Sequence, residues 1–425
     1  MLNFRVKHLA SAVALSCACL AGHAMAAEPT IDVLNWWTSG SESKAMGVLQ
    51  QMLSKQGIKM VNDAVAGGGG GNARTILKSR IVSGNVPGAA QIKGVSIQQW
   101  GQTGLLGNMN AVAKSQHWNK LLDPAFLSLL KYDGNYVAVP FDNHRVNWMW
   151  VNPKLLKKAG VESVPTTWDE LVVALKKIKA AGIIPIAGGG NTWQVATEFG
   201  PVVLATGGPK FYNDAFVKLD PKALNSPTMV KAFERLRVLQ KYTDPNGTGR
   251  SWNHDTAMVA NGQAAMQFMG DWAEGTLMVM NKTPGKDVQC AAFPGTNGSF
   301  IYNVDTMVFF KQNSASARAA QAAMAKTVMS EKFQILFNKV KGSIPARMGT
   351  PMGSFNACAQ KSAKDFTQAS KNNALVPSMS QNMSTYNATT GAIFDVLGQF
   401  YNSNMSAKTA AEQLAKQVAV AKSQL

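Results

Sequence analysis

A short apolar strand that runs into two indoles and then a carboxylate is the first place in this chain where side chains could do chemistry. Ile31, Val33 and Leu34 read as a buried strand; Trp36 and Trp37 stand at its end, and Thr38, Ser39, Gly40, Ser41 and Glu42 lead into a helical pattern. In open α/β sheets, ligands bind in the crevice beyond the strand ends. Flat apolar faces beside hydroxyls and a carboxylate suit a polyhydroxylated ring. Such a ring packs its C–H faces on aromatics and needs charged or amide partners for its hydroxyls once water is removed. One of the two indoles is expected to be a core residue at the strand end.

Further along the chain, residues of the same kinds recur at other segment ends. Gln91 and Lys93 follow a second strand pattern within Ala90-Gln91-Ile92-Lys93-Gly94, and Asn143 follows the strand that ends at Pro140. Gly270-Asp271-Trp272 repeats the opening arrangement of strand, small residue, acid and indole, with Asp271 read as a cap or hinge residue. Asp305 begins another strand, and Lys341 stands at a segment boundary beside Gly342 and Pro345. A site for a sugar would draw its walls from Trp36, Trp37 and Trp272 and its polar groups from Glu42, Gln91, Lys93, Asn143, Asp305 and Lys341. Trp148, Trp150, Trp168 and Trp193 read as packing residues, Trp193 being able to edge the cleft.

Other chemistries lack their parts. Gly67 to Gly71 lies between a strand and a helix, but the Gly-Lys-Ser/Thr ending of a phosphate loop is absent, so a flexible loop near the crevice is expected. Asp244 to Asp255 copies a calcium loop only in part, with Pro245, Gly247 and Trp252 at unsuitable places. His117, His144 and His254 are widely separated, and neither His-Glu-x-x-His nor Gly-x-Ser-x-Gly occurs. A glycosidase using Glu42 with Asp271 or Asp305 is the remaining enzyme reading; carboxylates in a sugar cleft also bind hydroxyls without chemistry. No catalytic residue, metal or cofactor is predicted.

The elements that must position these residues exceed one core. Arg5 and Lys7, an apolar run from Leu9 to Leu20 and Ala24-Met25-Ala26 form a secretory leader over 1–26, which takes Cys17 and Cys19 with it. Export to an oxidising compartment predicts one disulfide between Cys290 and Cys358. The rest is long enough for two lobes and, at 46% hydrophobic and 16% charged residues, can bury ordinary cores. The formal charge is +18, two of which leave with the leader. The lysines are scattered through helical segments such as Lys176-Lys177-Ile178-Lys179, which argues for a solvated cationic surface and against nucleic acid. No later stretch approaches the ~20 apolar residues of a membrane span.

Several motifs together carry a resemblance. The leader, Trp36-Trp37, Tyr136-x-x-x-Pro140, Asn152-Pro153, the helix start Pro165-Thr-Thr-Trp-Asp-Glu-Leu171 and Met269-Gly-Asp-Trp272 look like the extracellular sugar-binding proteins of bacterial ABC importers. Asn35-Trp36-Trp37 with Glu42, and Ala90 to Gly94, resemble more narrowly the periplasmic glucose-binding proteins. The resemblance covers essentially the whole chain after the leader. It implies an α/β, two-lobed periplasmic-binding-protein fold of type II-like topology with the ligand cleft between the lobes. Each lobe would be a largely parallel sheet covered by helices, the N-terminal one from 27–141 plus 301–345 and the C-terminal one from 142–300 plus 346–425.

The implied function is periplasmic: a monomeric receptor, with no direct membrane insertion, that takes a monosaccharide, D-glucose first, and delivers it to an inner-membrane permease. Mannose, galactose or a short oligosaccharide are the alternative ligands. Positions matching the family's motifs are Trp36, Trp37, Glu42, Lys93, Trp272, Asp305 and Lys341, with Gln91 and Asn143 carried beside them. A histidine that the family often supplies late in the chain is missing from Pro377 to Asn382; Gln381 stands where it could replace it.

Overall fold

The structure is a computed structural model that describes residues 28–423. The leader expected over 1–26 lies outside the described residues. Two separate sheets form, each with its own core. The first has the strand order Lys59–Ala64, Thr30–Asn35, Ala89–Gln91, Thr306–Phe309, Ala138–Pro140. Its first three strands are parallel, with Val33 opposite Ala89, and the last two pairings are antiparallel, with Met307 opposite Gln91 and Val139. The second runs Gln289–Ala292, Trp148–Val151, Ala264–Phe268, Ile184–Ile186, and only its last pair is parallel.

The sheets are therefore mixed and not largely parallel as expected. The reason is connectivity. A strand that enters a lobe from the other lobe needs no right-handed helical crossover within its sheet, so it is free to run against its neighbour.

Around the first sheet pack Phe141, Phe309, Phe333 and Phe337, and around the second Trp148, Trp150, Phe199, Phe233 and Phe293. Between them lies a small third sheet of Leu375–Pro377, Phe300–Asn303 and His144–Arg145. Its middle strand alternates in the manner of any strand: Phe300 and Tyr302 enter the first core and Ile301 the second. A third passage pairs with the first where Asn143 and Ile344 exchange backbone hydrogen bonds of 2.8 and 3.1 Å. Three chain crossings thus lie side by side under the cleft.

Local chemistry starts helices beside both sheets. Ser39 and Glu42 form a capping box on Gly40–Ser54, and Thr167 with Glu170 does the same for Trp168–Ala180. The helix Ala357–Lys371, which the division of the chain above assigns to the second lobe, has a face in each core. Ala359, Phe366 and Ala369 pack in the first and Cys358 in the second. Cys358 is bonded to Cys290 of the strand Gln289–Ala292, with 6.0 Å between the Cα atoms. Among the described residues no helix is long and apolar enough to cross a membrane.

Candidate functional site

The cleft between the sheets is a cavity of about 360 Å³, at the small end of ligand pockets. From the first side it is bordered by Trp36, Trp37, Ser39, Glu42, the loop Gly67–Gly70 and Lys93. Asn191, Trp193, Gln194, Ser251, Trp252, Asn253 and Trp272 face them from the second. His144, Asn303, Asp305 and Lys341 come from the crossings and complete the floor, beside Gln381.

Backbone amides beyond the first strand are held by side-chain amides. Asn35 Oδ1 accepts from the Trp37 N–H at 3.0 Å and Gln91 Oε1 from the Trp36 N–H at 3.2 Å. The two indoles then part. Trp37 is 1% exposed, with its ring 5.6 Å from Phe141 and 5.5 Å from Phe337, so it borders the cleft from within the core. Trp36 is half-buried and stands over the cleft. The glycine loop explains itself against these rings. Gly70 has φ +91°, and a Cβ there would lie 2.8 Å from the Trp36 ring; one on Gly69 would lie 3.4 Å from Trp193. Backbone packed this closely on two indoles, one from each side, requires glycine.

The charged groups form one network. Lys93 Nζ donates to Asp305 Oδ1 at 2.9 Å and Gln381 Oε1 at 3.2 Å, and stands 5.4 Å from the Trp36 ring centre. Burial alone would raise the Asp305 carboxyl, but Lys93, His144 and Lys341 hold it well below the usual carboxylate range. Lys341 Nζ lies 3.0 Å from His144 Nε2, 3.8 Å from Glu42 Oε1 and 5.4 Å from the Trp37 ring centre. Glu42 spends its other oxygen on the cap, accepting from the Ser39 N–H at 3.1 Å.

Asp142, His144 and Asp305 place donor atoms within 4.8 Å of one another, a spacing that could hold a cation. Here the Lys93 ammonium pairs with Asp305, and Nε2 of His144 lies 3.3 and 3.4 Å from Asp142 and Asp305, so side chains already stand between the two acids. Farther back, Arg250 reaches Asp244 at 2.7 Å and Asp255 at 2.5 Å, so a guanidinium stands between the acids of the imperfect calcium loop. That clasp fixes the turn from which Ser251, Trp252 and Asn253 face the cleft.

Of the ten residues expected at the site, eight border the cavity: Trp36, Trp37, Glu42, Lys93, Trp272, Asp305, Lys341 and Gln381. Gln91 and Asn143 do not. Gln91 is buried beneath Trp36, and Asn143 is taken up in pairing two crossings. His144, Asn303, Asn253 and Trp252 are cleft residues that sequence reasoning missed. Nothing local marks them, since each is brought to the cleft by the fold around it. Asn303, 1% exposed, borders the cavity too, and its buried Oδ1 accepts no hydrogen bond from the described residues.

Residues 39–326 match the family described as bacterial extracellular solute-binding protein. The chain belongs to that family. This solute-binding protein is 43% identical over 418 residues to a "Probable sugar-binding periplasmic protein" of Brucella suis, covering 97% of this chain and 99% of that one. A protein of the same description in Rhizobium meliloti is 43% identical over 403 residues, 95% and 97% of the two chains. Among solved structures, a chitin oligosaccharide binding protein superposes with a TM-score of 0.79 at 21% identity, covering 93% of this chain and 99% of that one; this likeness concerns the fold.

The solute-binding protein is not an enzyme, and its geometry agrees with the family. Glu42 is committed to a helix cap, Asp305 to Lys93, and Asp271 is fully buried behind His144. A glycosidase needs one carboxyl free to give a proton and another free to attack or to activate water. None of the three is free in that sense.

Proposed function

We propose that this protein is the periplasmic receptor of an ABC sugar importer, binding a monosaccharide, D-glucose, in the cleft and passing it to an inner-membrane permease. The observation that carries this reading is the pairing of indoles on both sides of a 360 Å³ cavity with a Lys93, Asp305, Lys341 set on its floor. A pyranose would lie with its C–H faces on Trp36 and Trp272 and its hydroxyls on Glu42, Lys93, Asp305, Lys341 and Gln381. Trp37 and Gln91 would support Trp36 from behind. Micromolar affinity amounts to about 8 kcal/mol. Charge-assisted hydrogen bonds at roughly 1.5–3 kcal/mol each supply that with a handful of contacts, before the cost of association.

The lobes proposed are 27–141 with 301–345 and 142–300 with 346–425, moving about the crossings as a monomer. Ligand that touches both sides favours the closed form by its differential affinity. The names of the Brucella and Rhizobium relatives support a periplasmic sugar ligand.

Calorimetric titration of protein stripped of sugar by unfolding and refolding tests this. We expect D-glucose to bind at micromolar Kd or tighter, with little change between low and moderate salt, and Trp36→Ala to abolish measurable binding. A neutral ligand displaces no counterions, whereas a polyanion would bind with a steep salt dependence in spite of the basic surface. Heat from galactose, mannose or maltose but not glucose would move the assignment to that sugar; no heat from any would refute it.

A further inference from the structure

The charged groups on the cleft floor converge on one ring. His144 is fully buried. Its Nδ1 stands 2.5 Å from Asp271 Oδ1, and the other oxygen of that carboxylate accepts from the Arg145 N–H at 2.9 Å, so Asp271 cannot swing away. With Nδ1 committed and the ring held edge-on to Trp272 at 86°, the position of Nε2 is determined. Nε2 lies 3.0 Å from Lys341 Nζ, 3.3 Å from Asp142 Oδ2 and 3.4 Å from Asp305 Oδ2. Asp142 in turn accepts from the Asp305 N–H at 3.0 Å, and the free oxygen of Asp305 takes Lys93.

We propose that His144 is a positioning residue for the ligand: its ring is the joint through which Asp271, on the second side of the cleft, holds Asp305 in the orientation it presents to a sugar. The inference rests on the reading of the cleft as a sugar site. It gives the crossings a function beyond connecting the lobes, because the same ring touches groups from both sides and from every crossing.

Charge supports the assignment. Facing the ring are Asp142 from its own crossing, Asp271 and Glu274 from the segment after Ala264–Phe268, Asp305 from the second crossing and Lys341 from the end of Glu331–Lys341. Lys93 stands on Asp305 and Glu42 near Lys341. Burial pushes the Glu274 carboxyl up to about 8, so it is uncharged at neutral pH. That leaves more carboxylates than ammonium groups, and a protonated ring narrows the difference. Burial opposes the proton on His144, as does Lys341, but Asp142 and Asp271 outweigh both and raise it well above its ordinary value. For a raised group the stabilising charge is complete below the ordinary value of about 6.5 and is lost as pH climbs through the raised one.

The experiment pairs ¹⁵N-histidine NMR of the ligand-free protein with calorimetric titration of D-glucose between about pH 6 and pH 10. We expect the His144 ring to remain doubly protonated well above neutral pH and glucose affinity to fall about tenfold as it loses its proton, the order of effect of leaving a buried charged partner unmatched. His144→Gln should bind about tenfold more weakly and with a flat pH profile. If that variant does not fold, the wild-type series decides. A ring already neutral at pH 7, or glucose affinity indifferent to pH, overturns the role of His144 and leaves the sugar site standing. Failure of every sugar to bind at any pH overturns both.

Discussion

The two walls of the cleft are built from different chemistry. Glu42 and Lys93 on the first side, with Asp305 and Lys341 on the crossings, carry formal charge; the second side offers Asn191, Trp193, Gln194, Ser251, Trp252, Asn253 and Trp272, all neutral. Charges in a crevice must be fixed by partners before a ligand arrives, and these are, through Lys93 to Asp305 and Lys341 to Glu42. Neutral amides and indoles need no such bracing and can approach late. On the function proposed above, the difference would set an order: ligand recognised first on the charged, pre-organised wall, with the neutral wall closing over it.

The largest expected effect breaks the charged wall. Asp305→Ala strands the Lys93 ammonium, which is 6% exposed, with Gln381 alone, and removes a partner of His144. Loss of one member of a buried pair costs roughly 3–5 kcal/mol. Chemical denaturation should show that drop and calorimetry should show no glucose binding; an Asp305→Ala protein as stable as the wild type would mean that the network is not the organiser described.

A smaller effect tests whether the walls are separate bodies. The Cys290–Cys358 bond ties the helix Ala357–Lys371, which has a face in each core, to the second sheet, across 68 residues of sequence. Replacing both cysteines by serine should lower stability by about 2–4 kcal/mol. Glucose affinity should stay within about twofold, since neither cysteine borders the cleft. A change in affinity as large as the change in stability would show that the staple sets the closure angle.

The smallest effect falls on the neutral wall. Trp193→Ala removes one face near the glycine loop and should weaken binding by about 0.5–1.5 kcal/mol, chiefly by faster release. Stopped-flow fluorescence separates the rates. A loss of association rate instead of a gain in dissociation rate would reverse the proposed order of events.

How much of this was legible depended on the range of the interactions. The capping boxes at Ser39–Glu42 and Thr167–Glu170 are local, as are the strand that ends at Trp36 and the turn glycines, so residue type and spacing suffice to find them. Of the eight expected residues that border the cavity, seven sit on motifs that mark strand ends and segment boundaries, and Gln381 came from the resemblance alone. His144 carries no such mark. Its partners Asp271 and Lys341 lie 127 and 197 residues away, and an isolated histidine in the chain has no visible environment. Gln91 and Asn143 show the opposite failure: polar residues next to site motifs whose hydrogen bonds are used up inside the fold.

By itself the sequence determined the element types, the two cores, the pair of cysteines and which strand ends carry indoles and charges, because hydrophobic period, capping and turn chemistry act over a few residues. Only the tertiary structure decided which way adjacent side chains face and which groups meet. Trp36 opens on the cleft while Trp37 is packed between Phe141 and Phe337, and the strands that come back from the other lobe run antiparallel. Both depend on contacts between segments more than a hundred residues apart, where the net gain comes from packing and from pairing buried charge, and neither is written in local spacing.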